Sequence, residues 1–308
     1  MPAAPPPPPS APPPDAARLA ESRAALATAE ERVFVASDGR PLFVRRYEPD
    51  GPARGTILWL HGVRSHSGWY GWSGRELAAA GWRVLAADRR GAGRNGAGRG
   101  DAAGADRLLS DVRQLAAVAR SLSPGSPLVL AGVSWGAKPA AILAAEAGSC
   151  AGLLLVNPGL RSRFGPGPAA RAAVRAAVAA GRGGVPARVP LESPRLFTSS
   201  PAFAEFVERD PLAVRTVTLR FVAATAALDR RVPAAVAGLR VPVLCLLAGE
   251  DGVVDNPATR RLLGTSGSAD VTVREVPAAR HTLEFELTRA AWLAGAAAWL
   301  DRLTQPIR

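Results

Sequence analysis

The pentapeptide Gly132-Val133-Ser134-Trp135-Gly136 joins an apolar stretch, Pro127 to Val133, to a segment of helical character, Trp135 to Ala147. A serine so placed occupies a sharp strand-to-helix turn, and the flanking glycines remove side chains that would collide across it. Its hydroxyl stands clear of the strand, beside a helix N-terminus whose free N–H groups carry partial positive charge. Such a serine is placed to attack a carbonyl carbon, with an oxyanion forming next to it.

A serine hydroxyl is a weak nucleophile near neutrality and needs a base. The chain offers three histidines, His61, His66 and His281. His61 and His66 precede the serine, near the end of the apolar run Thr56 to Leu60, while His281 alone follows it. Chains built on this turn run nucleophile, acid, histidine, so His281 is the expected base. The acid should stand just past the strand Leu244 to Ala248, in Gly249-Glu250-Asp251-Gly252-Val253-Val254-Asp255. Asp251 is the first aspartate there and is expected to accept the Nδ1 hydrogen of His281. Asp255 and Glu250 compete with it, each also readable as a solvated or helix-capping carboxylate. His61-Gly62-Val63 would supply the other half of an oxyanion site, the backbone N–H of Val63 pairing with that of Trp135. No metal and no cofactor are expected: Cys150 and Cys245 lack ligand spacing. Asp88-Arg89-Arg90-Gly91-Ala92-Gly93 reads as a turn rather than a phosphate loop, because no Gly-Lys-Ser/Thr follows.

The elements that must position these residues alternate. Arg32 to Ala36 and Pro41 to Tyr47 flank Ser37-Asp38-Gly39 and read as an antiparallel hairpin. Strands follow at Thr56 to Leu60, Arg83 to Ala87, Pro127 to Val133, Leu153 to Val156, Val241 to Leu247 and Val271 to Val276. Helices are expected over Gly74 to Ala80, Arg107 to Leu122, Trp135 to Ala147 and Thr288 to Leu303; in the second, Leu108, Leu109, Val112, Leu115, Ala116, Ala119 and Leu122 form one stripe. This rhythm predicts an α/β fold with a mostly parallel central sheet and helices on both faces. It breaks between 159 and 235, where Ala/Arg-rich, Pro-broken segments suggest a helical lid. The expected organisation is a tail and short helix over 1–30, a core over 31–158 and 236–308, and a lid over 159–235.

His61-Gly62-x-x-x-His66-Ser67-Gly68-x-Tyr70, Gly132-x-Ser134-x-Gly136, Asp251-x-x-x-Asp255 and His281-x-Leu283-x-x-Glu286-Leu287 resemble the monoacylglycerol lipase and lysophospholipase group of α/β-hydrolases, which overlaps with the serine aminopeptidases. The similarity spans about residues 30 to 303 and is weakest in the lid, where only Asp210-Pro211-Leu212 looks familiar. It implies the α/β-hydrolase fold and hydrolysis of a small-molecule acyl ester, such as a monoacylglycerol or lysophospholipid, through an acyl-enzyme on Ser134. Peptidase, thioesterase and carbon-carbon hydrolase activities share the chemistry and stay open, as does a non-catalytic binding or scaffold role. Dehalogenases and epoxide hydrolases use an aspartate nucleophile, which Ser134 disfavours. Pro139 departs from the pattern, because it removes an N–H early in the nucleophile helix.

Composition adds exclusions. The chain has 308 residues, is 48% hydrophobic and carries a formal net charge of +12. Its arginines are scattered and not interleaved with aromatics, so no nucleic-acid partner is expected. No apolar window is long enough to span a bilayer, no basic-plus-apolar leader is present, and a cytoplasmic location is the expectation. Residues 1–14 are nearly all Pro, Ala and Ser and read as an extended tail. In the lid, Leu160, Phe164, Leu196, Phe197, Phe203, Phe206, Leu219 and Phe221 are expected to roof an apolar channel. Arg161, Arg163 and Arg171 on its outer face would favour peripheral contact with anionic lipid.

Overall fold

Apolar residues dominate Thr56–Leu60, Leu128–Val133, Gly152–Val156 and Val243–Ala248, and each segment is buried along its whole length. Strands apolar on both sides belong in the middle of a parallel sheet covered by helices. The computed structural model describes residues 15–304 and has this architecture; the Pro/Ala-rich residues 1–14 lie outside the described residues. Helix α1 (Asp15–Ala27) leads into an antiparallel hairpin of β1 (Glu30–Val35) and β2 (Pro41–Tyr47). Then come β3 (Thr56–Leu60), α2 (Gly71–Ala79), β4 (Arg83–Ala87), α3 (Ala105–Ser121), β5 (Leu128–Val133), α4 (Ala137–Ala144) and β6 (Gly152–Val156). The segment between β6 and β9, expected to form a lid, holds α5 (Pro168–Ala177), β7 (Pro186–Arg188), α6 (Pro201–Arg209), β8 (Thr216–Thr218) and α7 (Leu219–Gly238). The chain closes with β9 (Val243–Ala248), α8 (Asn256–Leu263), β10 (Val271–Val276) and α9 (Arg289–Arg302).

Eight strands form one sheet in the order β1-β2-β4-β3-β5-β6-β9-β10. β1 and β2 are antiparallel to their neighbours and the rest of the sheet is parallel. Helices α1, α2 and α9 pack as one layer, and α3, α4, α7 and α8 as the other. From β3 the chain turns outward to β4, then crosses back to β5. That reversal leaves a crevice at the carboxyl ends of β3 and β5, where ligands bind in such sheets. The core beneath is dry: Leu58, Leu130, Leu154 and Leu244 are fully buried, and truncating any one to alanine costs about 2–5 kcal/mol.

Three details differ from the sequence-based expectation. The nucleophile helix begins at Ala137, after a 3-10 turn over Ser134–Gly136, so Pro139 sits in its first turn, where a backbone N–H has no helical partner to lose. The lid contains a two-stranded antiparallel pair, β7 with β8, and α7 runs on to Gly238, past residue 235. Helix α8, between β9 and β10, carried no expectation. No helix among the described residues is long and apolar enough to cross a membrane.

Candidate active site

Ser134 follows β5 directly and takes φ 51°, a left-handed conformation that costs a non-glycine residue energy and lifts its side chain out of the strand. Two close approaches make the turn possible. A Cβ on Gly136 would lie 2.2 Å from the carbonyl oxygen of Leu60, and one on Gly132 would lie 2.6 Å from Cα of Ala137. The Ser134 carbonyl is held by the N–H of Gly159 at 2.7 Å.

The structure brings Ser134, His281 and Asp251 into one chain of hydrogen bonds. Ser134 Oγ lies 2.9 Å from His281 Nε2, and His281 Nδ1 lies 2.8 Å from Asp251 Oδ2. Nδ1–H donates to the carboxylate, which leaves Nε2 with a lone pair for the serine proton. Asp251 Oδ1 accepts from the N–H groups of Val253 at 2.7 Å and Val254 at 2.9 Å. Burial works to raise this carboxyl's pKa, but His281 and the two N–H groups outweigh it and hold the group below its ordinary value. The competitors stand elsewhere. Asp255 caps α8 by accepting from the N–H of Ala258 at 2.9 Å, and Glu250 is exposed.

Gly62 and Val63 run beside this serine: a Cβ on Gly62 would be 3.2 Å from Ser134 Cβ. His61 belongs to their support rather than to the proton path. Its Nδ1–H donates to the Gly62 carbonyl at 2.7 Å and its Nε2 accepts from the N–H of Arg89 at 2.9 Å. Burial pushes its pKa down to about 3, which keeps it neutral in that role. Arg89 completes the brace: Nη2 donates to the Val63 carbonyl at 2.6 Å while the guanidinium lies over the rings of Trp135 and Phe221. One side chain thus contacts both residues expected to supply oxyanion donors.

The loop that carries His281 is tied in three directions. Asn157 Nδ2 at the end of β6 donates to the His281 carbonyl at 2.5 Å. Glu284 accepts from the N–H groups of Trp72 and Ser73 at 3.1 Å each, at the N-terminus of α2, and from the Ser73 hydroxyl. Glu286 points to the lid and accepts from Ser199 N–H at 3.1 Å and Oγ at 2.9 Å. His66 is likewise a lid fastener. Its Nε2–H donates to Asp210 Oδ2 at 3.0 Å, an oxygen that also accepts from Trp69 Nε1 at 2.6 Å. Burial raises the Asp210 carboxyl, yet those bonds keep it below its usual range. The motif residues Glu286, His66 and Asp210 carried the only sequence signal for these ties; Arg89, Asn157 and Glu284 had none as site residues.

Above Ser134 opens a groove of about 730 Å³, walled by Leu160, Phe164, Val174, Val189, Leu191, Leu219, Phe221 and Val222. The lid aromatics divide their work. Phe164 and Phe221 line the groove, whereas Phe203 stacks on Phe285 and Phe206 meets Trp69, so both fasten the lid to the core instead of roofing a channel. Phe197 stands edge-on to the His281 ring. The buried Lys138 and the half-buried Asp229 pair to join α4 to α7 along one wall.

The family model described as serine aminopeptidase, S33, matches residues 51–288. Among curated proteins, a monoacylglycerol lipase of Mycolicibacterium smegmatis is 25% identical over 286 residues, covering 89% of this chain and 98% of the relative. The monoglyceride lipase of Homo sapiens is 29% identical over 269 residues, covering 82% and 84%. Among solved structures, a soluble variant of monoglyceride lipase from Saccharomyces cerevisiae, in complex with a substrate analogue, superimposes with a TM-score of 0.79 at 18% identity. That likeness covers 91% of this chain and 97% of the yeast chain and bears on the fold.

Proposed function

Because this chain belongs to the serine aminopeptidase S33 family, we propose that its Ser134, His281 and Asp251 hydrolyse single-chain acyl esters of the monoacylglycerol kind. The chain is a lipase- and esterase-like serine hydrolase; the acyl ester is the finer reading. Its main support is the Ser134–His281–Asp251 hydrogen-bond chain opening onto a groove walled largely by apolar side chains. In the proposed reaction His281 Nε2 takes the hydroxyl proton as Ser134 Oγ bonds to the ester carbon. The N–H groups of Val63 and Trp135 receive the oxyanion. His281 then gives its proton to the departing alcohol oxygen as the C–O bond breaks, leaving an acyl-serine. Water repeats the sequence, with His281 as base and then acid, and releases the carboxylic acid.

The aminopeptidase reading fits the groove less well. A free α-ammonium group needs a carboxylate to meet it, and the one groove-lining carboxylate among the described residues, Asp229, is paired with Lys138. Each buried methylene of an acyl chain contributes about 0.8 kcal/mol. We therefore expect kcat/KM for p-nitrophenyl esters to rise from acetyl to medium-chain acyl groups, and to exceed that for aminoacyl p-nitroanilides. A preference for acetyl esters, or faster cleavage of the aminoacyl amide, would reverse the assignment.

A further inference from the structure

The groove over Ser134 combines apolar walls with a surplus of positive side chains. Lys138, Arg161, Arg163, Arg171, Arg188 and Arg230 line it, against the single carboxylate of Asp229. That balance is far from the 38 basic and 26 acidic residues of the whole chain, so overall composition does not account for it. Lys138 pairs with Asp229 and Arg188 with Glu192. Among the described residues, the other four make no salt bridge, and their recorded side-chain hydrogen bonds reach only backbone carbonyls: Arg161 to Leu160, Arg163 to Val254, Arg171 to Pro166 and Arg230 to Ala226. Arginines away from the groove are mixed: Arg89, Arg99 and Arg120 likewise donate to backbone carbonyls, while others meet carboxylates. Arg90 meets Asp38 and Asp111, Arg113 meets Glu146, and Arg220 meets Asp101.

These four come from three segments. Arg161 and Arg163 flank Ser162, which bridges to Val254 just past Asp251, with Asp255 N–H on the Arg161 carbonyl at 3.0 Å and Arg163 N–H on the Val253 carbonyl at 2.9 Å. Arg171 stands on α5 and Arg230 on α7. Guanidinium groups lining one groove from three segments, none of them in a salt bridge among the described residues, favour an anion. An apolar wall beside them holds a hydrocarbon chain.

We infer that the site takes single-chain acyl esters bearing an anionic head group, a phosphate or a carboxylate, in preference to their neutral counterparts. The inference rests on the ester-hydrolase reading above. The acyl carbonyl is presented to Ser134, the chain lies along the apolar wall, and the anion meets Arg161, Arg163, Arg171 and Arg230.

The test compares 1-octanoylglycerol with 1-octanoylglycerol 3-phosphate and with 1-octanoylglycerol 3-hemisuccinate, all as monomers below their aggregation limits. The phosphate and carboxylate arms tell which anion the site takes. The anionic-to-neutral ratio of kcat/KM should be about ten or more at low ionic strength and fall several-fold at roughly 0.3 M salt, where exposed charges are screened. In the double variant Arg163→Glu, Arg171→Glu the ratio should drop at least about tenfold. Arg230→Glu, on a different helix, should lower it as well and serves if the double variant does not fold. A ratio near one in the wild type, or one that neither variant moves, overturns the inference. So does equal acceleration of all three esters by phosphatidylglycerol vesicles with the ratio unchanged, since the arginines would then serve a membrane surface. Hydrolysis of the neutral ester alone removes this inference and leaves the ester-hydrolase reading standing. Failure to cleave any ester or to react with a neutral fluorophosphonate removes both.

Discussion

The sheet core and the lid hold themselves together by different means. In the core, β3, β5, β6 and β9 are buried at every position, and two of the residues proposed to react, Ser134 and Asp251, follow β5 and β9 closely, with His281 after β10. In the lid, α5 has no buried residue and β7 and β8 are three residues long. Its polar ties to the core include Asp210 to His66 and Trp69, Ser199 to Glu286, Asp229 to Lys138 and Arg220 to Asp101. The Phe203–Phe285 stack and the buried Phe221, Leu228 and Val232 of α7 add apolar contact along its inner side. A reaction needs its groups fixed to a fraction of an ångström, which dense packing supplies. Substrate choice needs only a wall of suitable shape and charge, which a segment packed on the core along one side supplies.

The largest effects should come from core residues, on turnover and not on stability. Ser134→Ala should lower kcat by about 10⁶, the scale of losing a triad nucleophile, with little change in Tm, because its hydroxyl bonds only His281. Asp251→Asn should cost about 10⁴ by favouring the wrong histidine tautomer. Asp255→Asn, which touches only the α8 cap, should cost no more than about 1 kcal/mol of stability and leave turnover nearly intact. Steady-state kinetics on one chromogenic ester settles all three. If Asp255→Asn proved the more damaging aspartate change, the core would hold its acid in another place.

The His281 loop joins both regions, and its two glutamates give an intermediate effect. Glu286 faces the lid, while Glu284 is fully enclosed in the core at the α2 N-terminus, where burial raises its pKa from 4.5 to about 7 despite the Ser73 hydrogen bonds. Unfolded, this group loses its proton near 4.5; folded, near 7. Between those values the unfolded chain binds fewer protons, so stability from this group is full below about pH 4.5 and falls as pH rises to about 7, by roughly 3 kcal/mol at about 1.4 kcal/mol per pKa unit. Glu284→Gln keeps acceptors for the Trp72 and Ser73 N–H groups but cannot titrate. Thermal melts from pH 5 to about 7.5 should show the variant gaining on the wild type by several degrees. Parallel profiles would place the carboxyl's pKa near its ordinary value.

The same contrast governs what could be read from sequence. The limits of β2, β3, β4 and β10 coincide with those expected for them; β3 and nearly all of β4 are buried and read from apolar composition, whereas β10 is a partly exposed edge strand. Ser134, His281 and Asp251 were singled out because each follows a strand and chain order ranks them, and the structure joins them in one hydrogen-bond chain. The lid was legible only as an interruption. The pairing of Pro186–Arg188 with Thr216–Thr218 joins residues about 30 positions apart and leaves no periodicity in either. Arg89 was read as part of a turn, because its value depends on Val63, Trp135 and Phe221 arriving from three other segments. Phe203 and Phe206 look like channel aromatics until Phe285 and Trp69, distant in sequence, occupy their faces.

The smallest effect should come from the lid tie at Asp210, and its kind matters more than its size. Asp210 accepts from His66, Trp69 and Leu212 N–H, the last at 2.9 Å, and none of these groups touches Ser134. Asp210→Asn preserves shape and one acceptor oxygen but replaces a charged acceptor shared by three donors, a loss of about 2 kcal/mol. Because two of the donors, His66 and Trp69, sit on the core and the carboxylate on the lid, the loss falls on lid attachment. Val214, four residues on, donates its N–H to the Arg64 carbonyl at 2.9 Å, and Arg64 Nη1 donates in turn to the carbonyl of Leu191, which lines the groove. A looser lid should therefore widen the acyl wall and raise KM several-fold for a medium-chain ester, less for an acetyl ester, while kcat changes by less than about twofold. Measuring kcat and KM separately on both esters decides it. A fall in kcat with KM unchanged would mean that the lid helps set the geometry at Ser134, and the division between a reacting core and a selecting lid would have to be abandoned.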